Sequence, residues 1–322
     1  MDQRSARGGA PLGTWGDRDK SSEALGPDHA TPATHVRRAS EWSAMPELPE
    51  VHAHAERLAA AYAGAPLERF QPLSFTALKT FDPPPEAAVG RPLDGVGRRG
   101  KHLLLGFGDL TFVIHLMQGG RLRPDPKAAR RPRGGLARWH FTGPDPLLLT
   151  EAGTEHAAGV WVVRGAPPEQ EPLASLGPEA DQVDPAQMAQ LLSSASMRLH
   201  TFLRRQSLIA GLGRRLANEV CHRAGLSPFA ATGSLDDAAA ERVVAAIREA
   251  VAEGLEFERT LKDMSASKDR PGRVHGRAGS LCTVCGDRVR AVEYRAYTVA
   301  YCPACQTDGK VLADNTTSKF LR

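Results

Sequence analysis

Met45-Pro46-Glu47-Leu48-Pro49-Glu50-Val51 opens the part of this 322-residue chain that reads as folded. In the plainer reading of this stretch, Pro49 sits early in a helix, and Glu47 and Glu50 favour the positive end of its dipole. In the chemical reading, translation starts at Met45 and the methionine is removed, which gives Pro46 a free secondary amine. An α-amino group titrates near about 8, so a usable fraction is neutral at pH 7 and can attack a sugar or aldehyde carbon to form an iminium. A lysine would first need its pKa lowered. Glu47 places a carboxylate beside that amine for proton transfer.

Before this stretch, residues 1–44 are rich in Gly, Pro, Ser, Ala and charge and lack the apolar core of a signal peptide. They read as a disordered extension. Either the start codon lies at Met45, or a pro-segment precedes the folded part. If the extension stays attached, the Pro46 nitrogen is a planar tertiary amide and cannot act as a nucleophile.

At the far end, Cys282, Cys285, Cys302 and Cys305 follow C-x2-C-x16-C-x2-C, the spacing of a four-cysteine zinc site. Gly286 supplies a knuckle turn, and 289–301 alternates as a hairpin would. Two disulfides are the other reading, but no secretion signal is present. Four protein ligands leave no position for water, so such a Zn2+ is structural. Cys221 stands apart in a helical stretch and reads as a small buried residue.

Length allows two modest domains. Net charge +4 and a pI near 8.9 permit nucleic acid without requiring it. Basic residues cluster at Arg98–Lys101, 127–133, Arg204-Arg205 and Arg214-Arg215. No apolar run approaches membrane-spanning length.

A coarse pass gives an α+β chain: an N-terminal helix at 48–63, with Leu48, Val51, Ala55, Leu58 and Ala59 on one side, against a two-sheet β-sandwich. Strands are expected at 67–75, 93–97, 102–107, 111–116, 137–142, 147–150 and 159–163. Helices follow at 185–194, 197–204, 213–224 and 236–254, the last capped by Ser234 or Asp236. The expected divisions are 1–44 extension, 45–168 sandwich, 169–184 linker, 185–272 helical domain and 273–322 finger and tail.

Both ends together resemble the Fpg/Nei family of bifunctional DNA glycosylases, over Met45 to about Gln306. Arg99-Gly100-Lys101 resembles its R-x-G-K turn and His115–Leu122 its H-L-x-M-x-G-R-L segment. Leu176–Glu179 resembles the family's interdomain L-G-P-E. Gln206–Pro228 resembles its helix–two-turn–helix element, and Val274–Arg277 the V-Y-G-R before its zinc finger. The resemblance implies Pro46 as nucleophile, Glu47 as its assistant, and Lys101 on a phosphate near the lesion. It also implies a β-sandwich followed by helix–two-turn–helix and zinc-finger parts, and double-stranded DNA with oxidised bases or abasic sites as partner. A monomeric, cytoplasmic, nucleoid-associated enzyme is expected.

Departures from the pattern bear on substrate. The gap-filling methionine aligns with Gln118, with Met117 beside it, and Arg121 is a further DNA contact. The R-R-F wedge is replaced by 151–156. The G-x-G-N asparagine aligns with Arg214. The finger arginine aligns with Tyr297, with Arg295 nearby. The stretch 260–274 is short for a loop that caps 8-oxoguanine. These departures favour oxidised pyrimidines or ring-opened bases. A non-catalytic damage-binding protein of the same fold is the alternative, and a zinc-ribbon interaction module explains only the cysteines.

Overall fold

The structure is a computed structural model that describes residues 45–152, 157–265, 269–294 and 297–312. Helix α1 (Leu48–Tyr62) turns Val51, Ala55, Leu58 and Tyr62 into the sandwich core, while Leu48 enters the helical core. Ala59 lies at the edge of that stripe and is only half-buried.

Eight strands follow: β1 (Leu67–Pro72), β2 (Gly95–Arg99), β3 (His102–Phe107), β4 (Leu110–His115), β5 (Gly120–Pro124), β6 (Gly135–Phe141), β7 (Leu147–Glu151) and β8 (Gly159–Arg164). They form two four-stranded sheets, ordered β1-β6-β7-β5 and β2-β3-β4-β8. All pairings are antiparallel. The inner faces meet over Leu103, Leu105, Phe112, Leu149 and Trp139, with Phe70 edge-on to Trp139 at 5.1 Å. Strand β5 was not expected from sequence. Its Arg121 and Arg123 flank one fully buried residue, Leu122, so the alternation is too short to register.

The helical part holds α2 (Pro185–Ser194), α3 (Leu199–Arg204), α4 (Arg214–Arg223) and α5 (Asp237–Arg259). Asp236, not Ser234, caps α5: its Oδ1 accepts from Ala239 N at 2.8 Å. The helix runs past Gly254, where the sequence expectation ended. Glycine is there for space: an added Cβ would lie 2.9 Å from Pro49 Cγ. A close helix crossing, and not a helix stop, explains that residue.

Strands β9 (Arg290–Glu293) and β10 (Thr298–Tyr301) form the C-terminal hairpin, with Val292 opposite Val299. A short helix, α6 (Pro303–Gln306), follows it and was left unassigned by sequence. Separate apolar clusters lie in the sandwich, the helices and the finger. The α+β architecture expected from sequence is therefore present. No helix among the described residues is long and apolar enough to cross a membrane.

Candidate active site and metal centre

Pro46 and Glu47 precede α1 and are buried. The chain there is pinned to the helical part by backbone: Leu48 N donates to Gly211 O at 3.0 Å. Glu47 then reaches the N-terminus of α4. Its two carboxylate oxygens accept from Arg215 N and Leu216 N, each at 2.9 Å. Those N–H groups lie in the first turn, where a helix offers no acceptor of its own, and the dipole favours negative charge at this end. Gly213 is required for this approach, because a Cβ there would collide with the Glu47 carboxylate. A segment far away in sequence thus fixes the orientation of the proposed proton carrier.

Glu50, one turn into α1, accepts from Glu47 N at 3.1 Å and is fully buried, with Arg270 Nη1 at 3.3 Å from its Oε1. Burial pushes its pKa up to about 7, and Arg270 offsets this only in part. Sequence reading saw only a dipole partner here. A carboxyl poised near neutrality at this depth is not legible from residue order.

Lys101 sits with Gly100 in the tight turn between β2 and β3 and is 8% exposed. Burial pulls its pKa down to about 8. Glu47 works against this, while Arg204 and Arg214 add to it. So Lys101, Glu47, Arg204 and Arg214 share one electrostatic neighbourhood. The turn is held from outside by Glu179, whose Oε1 accepts from Gly100 N and Arg99 Nη1, each at 2.6 Å. Arg98 also pairs with Glu179 and, at 3.0 Å, with Asp181. The Leu176–Glu179 segment is therefore a clasp on the lysine turn.

The remaining candidates separate. Met117 and Gln118 lie half-buried in the turn between β4 and β5, and Met117 adopts φ 50°, a left-handed conformation unusual for its side chain. Arg121 is half-buried on β5 and donates to Gly120 O at 2.7 Å. Arg214 is the first residue of α4, beside the Glu47 contact. Tyr297 leads into β10 and stacks on Tyr294 and His200, with ring centroids 4.8 and 5.9 Å apart. The Arg204 guanidinium lies over its face at 4.1 Å. Tyr297 thus grips an arginine from α3, a partnership that sequence order gives no hint of. Arg295 lies outside the described residues, as do 153–156 of the wedge region and the 1–44 extension.

The four cysteines converge. Cys282 Sγ lies 3.9 Å from Cys305 Sγ, and Cys285 Sγ lies 3.4 Å from Cys302 Sγ. Four sulfurs about 2.3 Å from one ion at tetrahedral angles would be about 3.8 Å apart; both spacings approach that value, and Cys282, Cys302 and Cys305 belong to one set of mutually close donors that could hold a metal ion. A further donor was missed by sequence: His222 of α4, whose Nε2 is 3.3 Å from Cys282 Sγ. Helix α4 also bonds the segment before the finger. Glu219 accepts from Arg273 N, Val274 N and His275 N at 2.9–3.0 Å. Asn218 Oδ1 accepts from Ala300 N at 3.2 Å. One helix therefore receives Glu47 at its start and the finger at its end. Cys221 is fully buried, as expected.

Residues 45–152 match the model of the formamidopyrimidine-DNA glycosylase N-terminal domain. The formamidopyrimidine-DNA glycosylase of Methylococcus capsulatus is 32% identical over 276 residues, spanning 81% of this chain and all of that protein. The chain belongs to the formamidopyrimidine-DNA glycosylase family. Among solved structures, the Thermus thermophilus MutM (Fpg) protein superposes with a TM-score of 0.69 at 30% identity, covering 81% of this chain and 98% of that one. A Lactococcus lactis Fpg, solved in complex with DNA containing an abasic site, gives 0.71 over 81% and 99% at 22% identity, a likeness of fold.

Proposed function

We propose that this chain is a base-excision DNA glycosylase with abasic-site lyase activity, acting through Pro46. The observation that carries the reading is the buried constellation itself: Pro46 beside Glu47, Glu47 oriented by the α4 N-terminus, and Lys101 in the same pocket of charge. Family membership supports it. Relatives crystallised with abasic-site DNA and with DNA containing an oxidised pyrimidine support damaged duplex DNA as the partner.

A sugar carbon within stacked duplex is out of reach, so the damaged nucleotide is rotated out. Met117 and Gln118 fill the gap, offsetting an unstacking cost of about a few kcal/mol. The Pro46 nitrogen attacks C1′, the glycosidic electron pair leaves with the base, and Glu47 moves the proton that this exchange requires. The sugar ring then opens: the C1′–O4′ bond breaks, its electron pair leaves with O4′, which takes up a proton, and C1′ becomes an iminium on Pro46. The iminium acidifies the C2′ proton, and loss of that proton expels the 3′ phosphate. A second elimination releases the sugar remnant. Lys101, Arg121, Arg204 and Arg214 hold backbone phosphates. The four cysteines hold a structural zinc ion, which keeps the finger folded and takes no part in bond breaking.

The chemistry requires Pro46 to carry a free amine. With the Met45–Pro46 peptide intact, the same protein binds damage without reacting. Ring-opened purines and oxidised pyrimidines are the proposed substrates, ahead of 8-oxoguanine. The test is excision from duplexes carrying each lesion, using protein that begins at Pro46. Glu47→Gln should lower excision by about 100-fold or more while leaving binding intact. Normal excision by that variant contradicts the role given to Glu47, and faster release of 8-oxoguanine contradicts the preference.

A further inference from the structure

Around the cysteine cluster there is one donor more than a tetrahedral ion needs. The Nε2 of His222 and the Sγ atoms of Cys282, Cys302 and Cys305 all lie within 4.8 Å of one another. His222 is 4% exposed and aims its Nε2 at Cys282, while Cys285 is the exposed member of the thiol set.

The elements that carry the two donors differ in kind. Cys285 sits on the turn that closes at Gly286, where Gly286 N donates to Cys282 O. His222 sits on the same face of α4 as Asn218 and Glu219, four and three residues earlier, and both of those bond the finger or the segment before it. Helix α4 therefore holds the imidazole against the metal site whatever the exposed turn does.

Resting on the metal reading above, we propose that His222 is a reserve metal ligand: it completes a three-cysteine, one-histidine site with Cys282, Cys302 and Cys305 when the Cys285 thiolate is lost. Such donor sets hold structural zinc as four-cysteine sets do, and Zn2+ has no electronic preference of geometry that would oppose the exchange. Cys285 prevails while it is intact, because His222 lacks support on its other ring nitrogen. Ligation through Nε2 puts the proton on Nδ1, and the buried Nδ1 finds no acceptor among the described residues. A histidine ligand without such a support is weaker by about 10–100-fold. The centre thus keeps its ion after solvent-borne electrophiles consume the one thiolate they reach first.

The test uses the whole chain with Co2+ as a spectroscopic probe, in the wild type, Cys285→Ser, His222→Phe and the double variant. Wild type and His222→Phe should each bind one equivalent with a tetrahedral visible spectrum. Cys285→Ser should still bind one equivalent tetrahedrally, with its thiolate charge-transfer band reduced to about three-quarters, as expected for one soft donor replaced by nitrogen. The double variant should bind at least about tenfold more weakly than Cys285→Ser. Loss of cobalt or of the fold in Cys285→Ser would overturn the inference, as would equal affinity in Cys285→Ser and the double variant. Wild-type protein that binds no cobalt would overturn the metal reading itself, and this inference with it.

Discussion

Residue by residue, the site is organised by where charge is buried. Glu50 has its pKa raised to about 7 by burial. Its folded form therefore binds a proton that the unfolded chain has already released, and stability falls as pH rises from about 4.5 to about 7. The full effect amounts to at most about 3 kcal/mol. Urea denaturation at pH 5 and pH 8 should show Glu50→Gln losing much of the pH dependence seen in the wild type; an unchanged dependence would place the titrating group elsewhere. Lys101 shows the opposite shift, down to about 8. If its ammonium holds a phosphate, affinity for duplex containing an abasic-site analogue should fall as pH rises through that value and level off once this one contact is lost. Lys101→Arg, charged throughout, should flatten the fall. A wild-type profile that stays level to pH 10 would separate Lys101 from the phosphate.

Among the secondary-structure elements, α4 is the junction. Its first turn receives Glu47, its last turns receive the finger, and Gly213 clears the way for the Glu47 contact. Helix α3 contributes Arg204, gripped by Tyr297 beside the hairpin strand β10. A cation over an aromatic face is worth about 0.5–2 kcal/mol, depending on exposure. Two variants therefore separate grip from charge. Arg204→Ala should lower the salt slope of DNA binding by about one, as loss of one phosphate contact does. Tyr297→Leu should weaken binding a few-fold with the slope kept, because the charge remains but is less well placed. The element layout was largely legible: Val51, Ala55 and Leu58 mark the helix stripe, and the strands of β3, β4 and β8 announce themselves by apolar runs. The failures have physical causes. Strand β5 buries one large side chain, and Gly254 answers to Pro49 from a distant helix, which no local pattern records.

Across the folded chain as a whole, long-range contacts assemble what residue order leaves scattered. The cysteine spacing announced the metal centre, yet His222 joined it from a helix sixty positions before Cys282. The family motifs named Pro46, Glu47 and Lys101, but the clasp of Glu179 on Gly100 and the cation gripped by Tyr297 emerge only when sandwich, helices and finger are folded together. The proposed chemistry depends on this assembly and on a free amine at Pro46 that acts as the nucleophile. Borohydride reduction probes that step itself, with protein beginning at Pro46 mixed with duplex that carries an abasic site. Borohydride converts an iminium into a stable covalent link. A trapped protein–DNA complex whose linked peptide maps to Pro46 is expected, and none from protein that keeps Met45. Intact DNA binding with no trapped complex, at an N-terminus verified by mass, would contradict a Pro46 nucleophile.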